Sequence, residues 1–220
     1  MRTAAILPVK SFAKAKQRLG DAVGGSDREQ LAAAMVGDVL SALAKVPQID
    51  EVIVVTAEPL AAQEAEKAGR AVVDDPEERG QSAAANRGID AALARGAERA
   101  LLVPGDCPAV DPDEVGRLLE RTASEPSVVI VPDRHGSGTN ALLLTPPGAV
   151  APSFGTGSFA RHAARAHAAG TRVRVAEVRS LGLDVDTPED LRALHEALAL
   201  RPGAAPRTRE LLARMLPAAA

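Results

Sequence analysis

The chain has 220 residues, 46% of them hydrophobic and 25% charged, with a net charge of −3. That length supports one sizeable core, and the slightly acidic balance excludes a broad basic face for nucleic acid. The single cysteine, Cys107, excludes an internal disulfide and a CxxC zinc site.

Apolar runs alternate with helical patterns, which predicts an α/β fold with a mostly parallel sheet. The first strand spans Thr3 to Val9, and a loop carrying Lys10, Lys14, Lys16 and Arg18 follows. The apolar stretch near Met1 is too short for a membrane span or a signal peptide, so a cytoplasmic protein is expected. Ser26 to Glu29 reads as a capping box opening a helix to about Val46. Val52 to Thr56 is apolar on both faces, as in a buried parallel strand. A helix from Pro59 ends at Gly69, and a short strand covers Ala71 to Val73. Gly80-Gln81-Ser82 opens an Ala-rich helix that stops near Gly96. Ala100 to Val103 is a buried strand, followed by Asp111-Pro112 as another helix start. Val128 to Val131 and Ala141 to Leu144 are strands, the second a candidate for reversed direction. After a Gly/Pro-rich loop, a helix runs from Ser158 to Ala169, and Arg172 to Val178 alternates like a half-buried strand. Leu181 to Val185 reads as a short strand. Thr187-Pro188-Glu189-Asp190 then has the N-cap, Pro at the first position and reach-back acid of a helix start, here to about Leu200. Residues 1–200 are expected to form one domain, with a connector and a short helix over 201–220.

Four stretches fall at predicted strand or helix ends, where open α/β sheets bind ligands. Lys10, Lys16 and Arg18 could grip phosphate oxygens or form a solvated loop. Gly80, Gln81 and Ser82 offer helix N-terminal amides to a phosphate, base or ribose, or form a plain cap. Asp106 ends the Ala100 strand, and Asp184 and Asp186 lie one residue apart, so both leave the same face. The two late aspartates alone could merely solvate a turn. A third carboxylate at another strand end favours a divalent cation, because clustered acids repel without one. Cys107 between Asp106 and Pro108 fits a small buried hydrophobe better than a nucleophile. Finally, Gly136 to Asn140 and Phe154 to Ser158 are two Gly/hydroxyl loops suited to a small anion. Arg134, Arg161 and His162 lie near them in sequence and could add charge, while Phe154 and Phe159 suit packing. The histidines show no metal-ligand spacing.

In this order, LPVK…AKQRL, GQS, VPGDCPAVD, SGTNALLL, FGTGSFARH and LGLDVDTPEDL resemble the phosphoenolpyruvate or 2-phospho-L-lactate guanylyltransferases of coenzyme F420 biosynthesis. The resemblance runs from about residue 3 to 197. It implies a Rossmann-like, three-layer nucleotidyltransferase fold of the glycosyltransferase-A-like kind. It also implies transfer of GMP from GTP to the phosphate of a three-carbon acid, with release of pyrophosphate. Asp106, Asp184 and Asp186 then match magnesium ligands, and Thr139, Gly155 and Ser158 match acceptor-binding positions. Lys10, Lys16 and Arg18 match the basic loop for GTP phosphates and the departing pyrophosphate. Gly80, Gln81 and Ser82 match the nucleotide-binding helix start, although GQS also resembles cytidylyltransferases. The resemblance is compatible with a homodimer and with hand-off of product to the next transferase of that pathway. Competing readings are a cytidylyl- or molybdopterin-type nucleotidyltransferase, a glycosyltransferase using Asp-Val-Asp, and a non-catalytic nucleotide-binding regulator.

Overall fold

The computed structural model describes residues 1–14, 19, 24–121 and 125–215. Seven strands form one sheet: β1 (Thr3–Val9), β2 (Glu51–Thr56), β3 (Ala71–Asp74), β4 (Arg99–Leu102), β5 (Ser127–Pro132), β6 (Thr139–Thr145) and β7 (Arg172–Val175). Their order across the sheet is β3-β2-β1-β4-β6-β5-β7. All neighbours pair parallel except β6, which is antiparallel to both β4 and β5. The helices are α1 (Gly25–Leu43), α2 (Pro59–Lys67), α3 (Gln81–Ala94), α4 (Pro112–Glu120), α5 (Ser158–Ala168), α6 (Pro188–Ala199) and α7 (Pro206–Met215). No helix among the described residues is long and apolar enough to cross a membrane.

The period-2 geometry of the central strands divides their side chains between two cores. Ala5, Leu7 and Val9 of β1 and Val52 and Val54 of β2 pack with Val36 and Leu40 of α1. Ala4 and Ile6, with Ile53 and Val55, face Ala84, Ala85 and Ile89 of α3 on the other side. Both faces are covered, so these strands read as unbroken apolar runs. Each fully buried Leu or Ile contributes roughly 1.5–3 kcal/mol. Gly88 lets α3 lie close on β1: a Cβ there would stand 2.3 Å from Ile6 Cγ2.

A third cluster lies beyond α1. Leu31 and Met35 of α1 meet Leu191, Leu194 and Leu198 of α6, Leu212 of α7 and Val185. Asp38, buried on α1, accepts from the Arg207 and Thr208 amides at 3.3 and 2.8 Å. This ties the start of α7 to the body and supplies its orphan helix amides.

Several boundaries differ from expectation. α1 begins at Gly25 behind Gly24, with no side-chain cap, so Ser26 sits inside the first turn and the expected capping box does not form. The helix ends at Leu43, short of Val46. β7 stops at Val175 and is largely exposed, as an edge strand carrying Arg172 and Arg174 can be. The segment Leu181 to Asp186 is not a strand. Its alternation persists without sheet pairing, because Leu183 and Val185 turn into the third cluster. Asp184 and Asp186 therefore still leave the opposite side.

Candidate active site

A cleft of about 340 Å³ opens at the carboxyl ends of β1 and β4. Lys10, Gly80, Gln81, Gly105 and Asp106 line it, with Met35 and Val36 of α1 as an apolar wall. Gly105 is required for the close wall, since a Cβ there would lie 3.0 Å from Val36 Cγ2. Lys10 is exposed at the edge of the cleft it helps line. α3 starts at Gln81 with Gly80 as a cap that has no side-chain bond and a φ of 99°. First-turn amides of that kind are donors for an anion or a base oxygen. The turn after β1 is pinned by two acids: Glu78 accepts from the Ser11 amide and Glu58 from the Phe12 amide, both at 2.9 Å. Asp75 also lines the cleft, with Arg87 Nε 3.1 Å from its Oδ1 as an ion-pair contact outside hydrogen-bond alignment.

The late aspartates do not line this cleft; they reach it through Asp106. The Val185 amide donates to the Asp106 carbonyl at 3.1 Å, which brings the two acidic segments together. Asn140, buried on β6, donates from one Nδ2 to Asp184 Oδ1 at 3.1 Å and to the Leu181 carbonyl at 2.9 Å. Burial and then the charge of Asp106 push the Asp184 carboxyl above the ordinary carboxylate range; Asp186 adds to this, and the Asn140 bond opposes it. Among the described residues, no three acid, imidazole or thiol groups are gathered tightly enough to form a ready-made metal cage. Asp106, Asp184 and Asp186 are coupled by charge around the buried Asp184 carboxyl, and carboxylate oxygens are the donor type that a hard divalent cation takes.

Asp186 is held by the next helix. Asp190 Oδ2 accepts from the Asp186 amide at 3.1 Å, the Thr187 amide at 2.7 Å and the Thr187 hydroxyl at 2.8 Å. Thr187 Oγ1 in turn accepts from the Asp190 amide, completing the capping box of α6. Arg134 Nη2 lies 2.7 Å from the other Asp190 oxygen. Burial pushes the Asp190 carboxyl up, but the Thr187 and backbone bonds, with Arg134, hold it below its ordinary value.

A second cluster forms where the start of β6 meets the start of α5: the Phe159 amide donates to the Ser137 carbonyl at 3.3 Å. Because β6 is reversed, with Leu142 opposite Leu102, its first residues extend past the carboxyl end of β4. Thr139 is thus brought toward the cleft, and Ser158 lies at the first position of α5, both buried. Gly155 (φ 102°) and Gly157 (φ 70°) make the turn into α5 in the region that favours glycine. His162, wholly buried, has Nδ1 3.0 Å from Thr139 Oγ1 and accepts from the Ser153 amide at Nε2, at 2.8 Å. Phe154 packs edge-on to this ring, with centroids 5.2 Å apart. Burial, then Arg165 and Arg161, push the His162 pKa down to about 4, so the ring is neutral.

The site residues read from sequence fall out as follows. Lys10, Gly80, Gln81 and Asp106 share the cleft. Asp184 is coupled to Asp106 by charge and to β6 through Asn140. Thr139 begins β6 and Ser158 begins α5, the two being linked through the Thr139–His162 contact, and the Ser158 amide donates to the Gly155 carbonyl at 3.0 Å. Lys16 and Arg18 lie outside the described residues. Ser82 is used differently from expectation: its hydroxyl accepts from the Phe154 amide at 2.9 Å, so it ties α3 to the second loop. Arg161 and Arg134 do not supply loose charge. Arg161 is spent on the Ser153, Phe154 and Thr156 carbonyls, and Arg134 on Asp190 and Glu189. Cys107 is fully buried, with Sγ 3.5 Å from the Leu181 carbonyl, as a packing residue would be. Asn140 reads only as the end of a Gly/hydroxyl loop and His162 only as nearby charge; their partners, Asp184 and the Thr139 hydroxyl, carry no signal in the sequence.

Residues 3–214 match the model of a family described as guanylyl transferase CofC like. The chain belongs to this family. It is 48% identical over 217 residues to a phosphoenolpyruvate guanylyltransferase of Conexibacter woesei, covering 98% of this chain and 97% of that protein. It is 37% identical over 191 residues to a 2-phospho-L-lactate guanylyltransferase of Methanothermobacter thermautotrophicus, covering 87% and 83%. Among solved structures, a provisionally assigned nucleotide-diphospho-sugar transferase of Desulfovibrio desulfuricans superposes with a TM-score of 0.74 at 19% identity, covering 97% of this chain and 95% of that one. That likeness speaks for the fold alone. As a member of the family, the protein is a nucleotidyltransferase.

Proposed function

We propose that the protein transfers GMP from GTP to the phosphate of phosphoenolpyruvate, releasing pyrophosphate, with 2-phospho-L-lactate as the alternative acceptor. The observation that carries this reading is the Asn140 bridge. It joins Asp184, coupled by charge to the cleft residue Asp106, to the strand that starts with Thr139. A nucleotide in the cleft and a small acid at Thr139 and Ser158 would then meet across the aspartates. Bringing two substrates together in this way can lower a barrier by several kcal/mol, up to roughly 7–11 in ideal cases.

In the reaction, an acceptor phosphate oxygen attacks the α-phosphorus of GTP. The P–O bond to the β-phosphate breaks, and pyrophosphate leaves with the electron pair. The attacking oxygen is ionised at neutral pH, because the second phosphate pKa is about 6, so no general base is required. Lys10, at the cleft, is assigned to the polyphosphate, with Lys16 and Arg18 of the same loop assigned to the leaving pyrophosphate. Gly80 and Gln81 present helix-end amides to the nucleoside, while Ser82 keeps the second loop in place. Thr139, Gly155 and Ser158 orient the three-carbon acid. Magnesium held by Asp106, Asp184 and Asp186 would neutralise the phosphates and make the α-phosphorus more electrophilic. On the family resemblance, this step belongs to cytoplasmic coenzyme F420 biosynthesis, with its product handed to the next transferase of that pathway.

The test is a steady-state assay of pyrophosphate release with GTP and each acid. Thr139→Ala and Ser158→Ala are expected to raise the KM of the acid about ten-fold, as for a lost hydrogen bond to a charged group. A change confined to the KM of GTP would remove the acid from these residues.

A further inference from the structure

We infer that His162 is a positioning residue that fixes the Thr139 hydroxyl as a hydrogen-bond donor to the anionic acceptor, through a relay that begins at the Ser153 amide. The inference rests on the proposed acceptor site and goes beyond it. It assigns the direction of each proton.

The direction follows from one fact. A backbone amide can only donate. The Ser153 amide stands 2.8 Å from His162 Nε2, so that nitrogen must carry a lone pair. The ring is neutral, as its burial demands, and the proton therefore sits on Nδ1. Nδ1–H then donates to Thr139 Oγ1 at 3.0 Å. Thr139 accepts there, and its own hydroxyl proton has no acceptor among the described residues. A buried hydroxyl that cannot use its proton within the protein is poised for a ligand oxygen. A carboxylate or phosphate oxygen, which only accepts, is the partner it suits.

The relay is also braced. Arg161 holds the carbonyls of Ser153 and Phe154 at 3.0 and 3.1 Å and the Ser153 hydroxyl at 3.1 Å. The Phe154 amide is anchored on Ser82 Oγ, and the Phe154 ring lies against His162. The Ser153 amide is thereby held still, which keeps the imidazole tautomer fixed. The arrangement matches the way a hydrogen bond to one ring nitrogen sets the role of the other.

Two measurements test it. Long-range nitrogen–proton NMR spectra of the wild-type protein should show His162 protonated at Nδ1 and unprotonated at Nε2 at pH 7. Kinetics then compare His162→Asn, whose amide can replace Nδ1–H, with His162→Gln, which reaches the Ser153 amide but not Thr139, and with His162→Phe. The Gln and Phe variants should raise the KM of the acid about ten-fold, with the Asn variant within about three-fold of wild type. The KM of GTP should stay within about two-fold throughout. A proton on Nε2 would overturn the relay. So would equal rises in both KM values, or a Gln variant that behaves as wild type while the Asn variant fails. If wild-type protein releases no pyrophosphate with any phosphorylated acid, the proposed function falls. The NMR measurement then decides the relay by itself: Nδ1–H upholds it and Nε2–H overturns it.

Discussion

Replacing Asp190 by alanine removes the hub that holds the Asp184–Asp186 segment against α6. Three separate interactions are lost. The capping box contributes about 1 kcal/mol. The bond from the Asp186 amide to a charged oxygen contributes about 1–2 kcal/mol. Arg134, only a quarter exposed beside a buried carboxylate, adds about 1 kcal/mol, less than a fully buried pair would because water still reaches the guanidinium. Together the loss is about 3–4 kcal/mol, which in a domain of this size lowers Tm by about 6–16 °C. Asp190→Asn keeps an acceptor for the amides and loses mainly the charge, so its cost is about half. Urea denaturation and a thermal melt on the three proteins measure this directly. An alanine variant within about 1 kcal/mol of wild type would refute the hub. The same variant should also lose turnover at temperatures where it is folded, because Asp186 no longer has a fixed backbone.

Three further outcomes are expected. His162 takes up a proton in the unfolded chain near pH 6.5 but in the native fold only near pH 4. Its contribution is therefore whole above pH 6.5 and falls by about 3 kcal/mol as the pH drops to about 4. In denaturant titrations, the wild-type stability should fall toward that of His162→Gln over this window; parallel curves would contradict the buried neutral ring. Asp184→Asn should abolish nearly all turnover while keeping or raising the unfolding free energy, since the carboxyl it replaces is opposed by burial and by Asp106. A folded variant with full activity would remove Asp184 from the reaction. Gly88→Ala should destabilise by about 1–2 kcal/mol, because the contact with Ile6 outweighs the gain in helix propensity. A higher Tm for that variant would show that the α3–β1 spacing can relax.

The sheet was legible because its central strands are buried on both faces. LPV and VIVVT leave no polar position to mask the pattern. The reversed direction of β6 was open in the sequence, and the sheet register resolves it. The aspartate pair was read through its alternation, which survives without a strand because Leu183 and Val185 find apolar partners in α1 and α6. What sequence spacing could not carry was partnership across the fold. Asp190 is recognisable as a capping residue three positions after Thr187. Its bonds to Arg134 and to the Asp186 amide depend on how the 133–138 turn meets α6. His162 and Arg161 looked like loose charge near an anion loop. Their actual roles come from Ser153, which lies within a Gly/Pro-rich loop with no periodicity to place it. Ser26 shows the converse: a good local capping motif lost out when the helix began two residues earlier, at Gly25 behind Gly24.

The central claim is guanylyl transfer to a small phosphorylated acid. It is tested most directly by measuring pyrophosphate release with magnesium while crossing GTP and CTP against phosphoenolpyruvate, 2-phospho-L-lactate and 3-phosphoglycerate. Release is expected with GTP and phosphoenolpyruvate, and little with CTP or 3-phosphoglycerate. Equal rates with CTP, or no release with any of the three acids, would contradict it.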